Sequence, residues 1–209
     1  MKTARSPKTI EQIREKILEA ALDIIAGHGY EALTMRRLAS KTGMTAPNLY
    51  NYFANKDDIY ISLVIQGFEM LYAALDQARH GAPDPARRVR AMIEAYLDFG
   101  FSHPRYYDIM FTLDTPKYHD YVGTPLESRS AIEYRISMDI ADLALKAAAD
   151  LLGASADNEA IRQHMIHLWS LLHGMITLHN SRVIGYVADS PRTIYQAIID
   201  EFMAGLTDR

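Results

Sequence analysis

The 209-residue chain has no cysteine. That excludes disulfides, thiolate nucleophiles and zinc–thiolate sites, and it is compatible with a reducing cytoplasm without requiring one. No run approaches the roughly 20 apolar residues that span a bilayer, so no membrane partner is expected. The basic start (Lys2, Arg5, Lys8) leads into an amphipathic segment rather than an apolar signal core. Catalytic patterns are equally scarce. No Ser-His-Asp spacing, glycine-rich phosphate loop or acidic metal motif stands out, and the chain reads as a non-enzyme. His164 and His167 lie three apart, but no third ligand follows on the same helix, so neither metal nor cofactor is expected. Internal repeats and low-complexity segments are lacking too.

What is present is an ordinary soluble composition, 49% apolar and 23% charged, long enough for one or two domains with a real core. The net charge of −4 is unevenly placed: residues 1–60 carry nine Lys/Arg against seven Asp/Glu, and the remainder carries thirteen against nineteen. A small basic excess therefore sits at the N-terminal end, above an acidic body.

Periodicity and punctuation predict an all-α chain of about nine helices. The first eight residues read as a mobile arm able to touch DNA. Helix one follows over 10–27, with Thr9 and Gln12 as a capping box and Ile13, Ile17, Ala20, Ala21 and Ile24 as its apolar stripe. A long fourth helix spans about 56–79. Asp84-Pro85 opens the fifth, to about 102, and Pro104 opens a short sixth. Residues 113–127 read as a loop. The seventh spans 128–152, the eighth 157–182, and Ser190-Pro191 starts the ninth, which runs to about Leu206.

Residues Thr34 to Lys56 carry the most information. Thr34 is an N-cap, and Met35, Leu38, Ala39 and Thr42 form one apolar face. Gly43 supplies a left-handed helix end. Thr45 is a second N-cap candidate, Pro47 falls in the first turn after it, and Leu49 and Phe53 point to the core. Asn55 caps the next helix, where Asp57 and Asp58 complement the dipole. This is the pattern of a helix-turn-helix. Its outward set suits a nucleic acid: Arg36 and Arg37 for phosphate or guanine, Asn48 and Asn51 for base edges, Thr45, Tyr50, Tyr52 and Lys56 for phosphates, with Thr34, Ala46 and Pro47 also in the DNA-binding set. An ordinary helical hairpin with a solvated polar face fits the same spacing.

The wording of the segment resembles the DNA-binding domain of the TetR family of transcriptional regulators. The residues that carry the likeness are Thr34, Leu38, Ala39, Gly43, Leu49, Tyr50, Tyr52, Phe53, Lys56 and Asp57, preceded by Gly29-Tyr30 and Leu33. It extends without a gap over residues 10 to about 65. Tyr52 stands where His is commoner, and Ala46-Pro47-Asn48 replaces a frequent glycine-containing start; both bear on which operator is read. The resemblance implies a three-helix head over 1–56, joined by helix four to an effector-binding and dimerisation domain over 57–209. Trp169-Ser-Leu-Leu-His173-Gly174 also resembles the Trp-His-Gly signature of one C-terminal subfamily.

In helix eight Ile161, Met165, Leu168, Leu172 and Met175 fall at heptad-like spacing, and Ile194, Ile198 and Phe202 form a stripe on helix nine. A four-helix bundle from two copies would bury both; an intramolecular core would do so as well. Tyr96, Phe99, Phe111, Tyr134, Met138, Trp169 and His173 are candidates for an effector cavity, as the resemblance implies, although such a set also suits plain core. The resulting expectation is a cytoplasmic, nucleoid-associated homodimer. It would be a repressor released from a near-palindromic operator in double-stranded DNA by a small, largely apolar effector. The alternative is a DNA-bound scaffold of the same architecture without a ligand.

Overall fold

The computed structural model describes residues 6–153 and 158–207, so the expected N-terminal arm falls, for residues 1–5, outside the described residues. Among the described residues nine α-helices and no strand occur: α1 (Pro7–His28), α2 (Met35–Thr42), α3 (Ala46–Leu49), α4 (Lys56–His80), α5 (Pro85–Ser102), α6 (Pro104–Tyr107), α7 (Glu127–Leu152), α8 (Asn158–Asn180) and α9 (Pro191–Thr207). The all-α expectation holds.

Two boundaries differ from the sequence reading for local reasons. Helix α1 begins at Pro7 rather than near residue 10. Proline holds the preceding Ser6 extended (φ −65°, ψ 152°), and the Ser6 hydroxyl accepts the Thr9 N–H at 3.3 Å, so the cap is Ser6 and Thr9 lies inside the helix. The expected loop 113–127 contains a 3₁₀ turn, Tyr118–Tyr121, whose last side chain is buried.

The helices pack as two compact units. The first holds the residues up to Phe68 together with Arg105–Arg135. Its core is Ile17, Leu22, Ile25, Leu33, Leu38, Leu49, Phe53, Ile59 and Leu63, with Tyr107 and Ile109. Polar ties fix the later segment to the earlier one. Arg129 pairs with Asp58 at 2.9 Å and donates to Ser62 at 2.7 Å, and Tyr60 donates to the Pro116 carbonyl at 3.1 Å. Arg105 binds Glu19 at 2.8 Å and also Asp23, which in turn pairs with Lys41 of α2 at 3.1 Å. A hydrogen bond from Lys41, together with the positive charges of Lys41 and Arg105, holds the Asp23 carboxyl below its ordinary range against the opposing effect of burial. A division of the chain at residue 56 follows the helix-turn-helix; the packed unit is larger because the start of α4 shares its core.

The second unit holds Glu69–Pro104 and the residues from Ile136 onward. Helix α5 offers Val89, Met92, Ile93, Tyr96, Leu97 and Phe99 to a core shared with Leu172, Met175 and Ile176 of α8 and with Tyr195, Ile199 and Met203 of α9. At Gly100 a β-carbon would come within 2.5 Å of Ile176 Cδ1 and 2.8 Å of its Cγ1 and Cγ2, so a side chain is excluded where α5 and α8 approach. Helix α4 is long and apolar enough to cross a membrane, but most of its apolar window is buried inside the protein, as in a core helix.

Candidate nucleic-acid interface

The turn between α2 and α3 is built by local chemistry. Thr34 is extended, and its hydroxyl accepts the Arg37 N–H at 3.1 Å, starting α2. Gly43 is left-handed (φ 69°, ψ 25°). The Met44 N–H reaches the Ala39 carbonyl at 3.0 Å and the Gly43 N–H the Ser40 carbonyl at 3.4 Å, the paired bonds of a Schellman end. Leu38, Ala39 and Thr42 are buried, with the Thr42 hydroxyl spent on the Leu38 carbonyl at 2.8 Å.

Helix α3 is a single turn. Thr45 precedes it in extended conformation but makes no side-chain cap bond, contrary to the expectation. Proline at residue 47 removes one donor from that first turn, and the Asn48 and Leu49 N–H groups are met by the Thr45 carbonyl instead. Leu49 and Phe53 are buried as expected. Arg14 of α1 donates to the Tyr52 carbonyl and places its guanidinium 4.1 Å from the centre of the Phe53 ring, fixing the exit of α3. Asn55 then caps α4 by accepting the Asp58 N–H at 2.9 Å, and Asp58 accepts the Ala54 N–H at 2.8 Å.

This scaffold leaves Thr34, Arg36, Arg37, Thr45, Pro47, Tyr50 and Asn51 exposed, while Ala46, Asn48, Tyr52 and Lys56 are half-buried. Arg36 and Arg37 have no ion pair among the described residues. Tyr50 is 54% exposed at the end of α3. Asn51 donates to the Asn48 side-chain oxygen at 3.3 Å, which orients both amides. Lys56 lies 4.3 Å from the centre of the Tyr30 ring and 3.3 Å from the exposed Glu31 carboxylate. Tyr30 is itself anchored, donating its hydroxyl proton to Asp57.

The effector candidates separate. Tyr96, Trp169 and His173 come together: the Trp169 indole donates to the Tyr96 hydroxyl at 3.0 Å, and that hydroxyl lies 3.0 Å from His173 Nε2. Burial pushes the Tyr96 hydroxyl above its ordinary value and the His173 imidazole below. Phe99 is buried beside His103. Phe111 lies in the first unit against Phe68 and Tyr107, and Tyr134 stacks on Tyr118 there. Met138 is exposed. A cleft of about 300 Å³ between α4, α5 and α7 has charged walls, including Arg79, Arg88, Asp139, Asp142 and Lys146, and none of the candidates lines it.

The helix-eight seam turns inward. Ile161, Leu172 and Met175 are 7%, 4% and 3% exposed and pack inside the chain, with Met165 and Leu168 half-buried beside them. Ile161, Leu172 and Met175 are thus spent on the chain's own core, whereas Met165 and Leu168 keep part of their surface. The exposed face of α8 is instead Ile166, Ser170, Gly174, Thr177 and Leu178. On α9 Tyr195, Ile199 and Met203 take the core, Ile194 is exposed, and Ile198 and Phe202 are half-buried. The exposed face between Ile166 and Leu178 carries the small residues Ser170, Gly174 and Thr177, which mark it no more clearly as surface than the apolar residues beside them, so spacing does not fix the phase.

Residues 17–63 match the family model described as bacterial regulatory proteins, tetR family, and residues 89–202 match one described as Tetracyclin repressor-like, C-terminal domain. The HTH-type transcriptional activator FasR of Mycolicibacterium smegmatis is 27% identical over 156 residues, 75% of this chain and 66% of that protein. The HTH-type transcriptional repressor KstR of the same species is 34% identical over 80 residues, 38% of this chain and 39% of that protein. The chain thus spans just under two thirds of one relative and about two fifths of the other. Among solved structures, the ketosteroid transcriptional regulator KstR2 of Mycobacterium tuberculosis superposes with a TM-score of 0.70 at 14% identity, covering 99% of this chain and 98% of that one.

Proposed function

The chain belongs to the TetR family of DNA-binding transcriptional regulators, and from that premise we propose that it is a homodimeric, ligand-released repressor of a near-palindromic operator. The observation that carries the reading is the pair of unpaired arginines, Arg36 and Arg37, beside the exposed Pro47, Tyr50 and Asn51 of a turn held rigid from behind by Arg14, Leu49 and Phe53. Thr34, Thr45, Tyr50, Tyr52 and Lys56 contact phosphates and set the register; Arg36, Arg37, Asn48 and Asn51 meet base edges, with Ala46 and Pro47 packed beside them. Two such heads need a spacing of about 34–36 Å, one turn of the duplex, or a multiple of it. The protein acts on the nucleoid, in the cytoplasm.

The second copy covers the exposed faces of α8 and α9, Ile166, Ser170, Gly174, Thr177 and Leu178 with Ile194, and Ile198 and Phe202 lie at the rim. To swing the DNA-competent population from 99:1 to 1:99, an effector must prefer the released state by about 5.5 kcal/mol; affinity shared equally by both states moves nothing. A scaffold without a ligand is the second reading. It is favoured by the Tyr96 hydroxyl, which already meets the Trp169 indole and His173 Nε2 of its own chain.

Selection of bound fragments from random duplex DNA, repeated with small apolar molecules, tests both. A palindromic consensus that one ligand class abolishes supports the repressor. A consensus that no ligand alters supports the scaffold, and the absence of any consensus overturns the base-reading role.

A further inference from the structure

The second unit contains another cleft, of about 370 Å³, where the C-terminal ends of α5 and α8 meet the start of α9. Phe101, Ile184 and Pro191 give it apolar walls, and His179, Asn180 and Arg182 give it polar ones. Three features set it apart from a surface dimple.

The first is the backbone at Arg182. Its φ is 61° and ψ 7°, and among the described residues every other positive-φ position is a glycine. Arg182 follows α8, and its N–H donates to the His179 carbonyl at 3.0 Å. Glycine is the default at such a helix exit, because a β-carbon is crowded in this conformation. An arginine held there against that preference points to a use for its side chain.

The second is uncompensated charge. Neither Arg182 nor Arg192 has an ion pair among the described residues, and the Arg192 guanidinium lies 5.9 Å from the centre of the Phe101 ring. Burial and the nearby Arg192 push the His179 imidazole below its usual value, so the positive charge here belongs to the two arginines.

The third is an aromatic plate. Phe101 lies 4.1 Å from the His179 ring and 5.9 Å, nearly parallel, from Tyr195. Tyr195 is 2% exposed, and its hydroxyl has no hydrogen-bond partner among the described residues. Asn180 anchors the rim by donating to the Gly100 carbonyl at 3.1 Å.

We propose that this cleft binds a small aromatic carboxylate, its anion on Arg182 with Arg192 adjacent and its ring on Phe101 between Ile184 and Pro191. Guanidinium matches the planar carboxylate in a bidentate fork, and the apolar walls take the ring. The site stands apart from the DNA-reading function, and its test needs only the isolated protein.

Isothermal titration calorimetry with 2-naphthoate and its neutral counterpart 2-naphthamide, on the wild type and on Arg182→Gly and Arg182→Lys, decides the matter. Loss of a charge-assisted bond predicts that naphthoate binds about tenfold more tightly than the amide to the wild type, and that Arg182→Gly removes this preference. Arg182→Gly should melt no lower than the wild type, since glycine suits the left-handed backbone, so lost binding cannot be read as lost folding. Arg182→Lys should retain part of the preference. No naphthoate binding at millimolar concentration, equal affinity for acid and amide, or undiminished binding by Arg182→Gly would each overturn the proposal.

Discussion

Replacing Lys56 by alanine isolates one phosphate contact from everything else the DNA-binding head does. In the free protein the ammonium sits 3.3 Å from a Glu31 carboxylate that is mostly exposed, and above the Tyr30 ring. An exposed ion pair contributes about 0–1 kcal/mol to folding, and an exposed cation–π contact adds about 0.5–1 kcal/mol. Lys56→Ala should therefore still fold, with a small fall in melting temperature. On DNA the loss has a different signature. One phosphate contact carries about 0.9 of the slope of log affinity against log salt, so raising salt from 50 to 200 mM should narrow the gap between wild type and variant about 3.5-fold. Fluorescence anisotropy on a random-sequence duplex at several salt concentrations measures this without knowledge of the operator. Glu31→Gln is the converse: removing the carboxylate that competes for Lys56 should strengthen binding about twofold, the scale of an exposed pair. Parallel salt plots for wild type and Lys56→Ala would refute the assignment and leave Lys56 as a structural partner of Tyr30 and Glu31.

Further outcomes follow from the packing. Gly100→Ala drives a methyl into Ile176 Cγ1 and Cγ2 as well as its flexible tip; overpacking of this kind costs about 1–3 kcal/mol, and thermal melts should show less than additive loss in an Ile176→Ala background. Gly174→Glu, on the exposed face of α8 where a β-carbon meets nothing, should dissociate the dimer in sedimentation while helicity persists; Leu172→Glu, at a buried position, should instead unfold the chain. Thr34→Ala deletes the α2 cap and should cost about 1 kcal/mol in chemical denaturation. His173, lowered by burial from 6.5, resists protonation when folded. Its contribution to stability is complete above pH 6.5 and declines as pH falls below it, so His173→Gln should flatten the melting-temperature profile in that range.

Local chemistry was legible in the sequence. Thr34, Gly43 and Asn55 do what a hydroxyl, a glycine and an amide do at helix ends, and the buried faces of α2 and α3 follow from spacing alone. Thr45 failed as a cap because Pro47 removes one of the first-turn donors, and the Thr45 carbonyl serves the next two N–H groups. Ser6 caps α1 in place of Thr9 because Pro7 suits the first helical position and holds Ser6 extended. The phase of α8 was not legible. Leu172 and Leu178 are equally apolar, and only knowledge of which face α5 covers tells core from surface. The effector set mixed residues of two units because aromatic content carries no address: Tyr96 and Trp169 meet, whereas Phe111 and Tyr134 find other aromatics near their own segments. Arg182 gave no warning, since arginine is the wrong residue type from which to expect a left-handed turn.

Asp23 divides its single negative charge between two claimants, Lys41 on α2 and Arg105 on α6. Both claims are made at the surface, where mobile ions weaken them. Rising ionic strength thus does two things at once: it loosens the grip on phosphate and slackens the ties of α2 and Arg105 to α1. Part of any salt sensitivity seen in whole-protein binding will therefore originate behind the reading surface, and comparison of paired variants subtracts it.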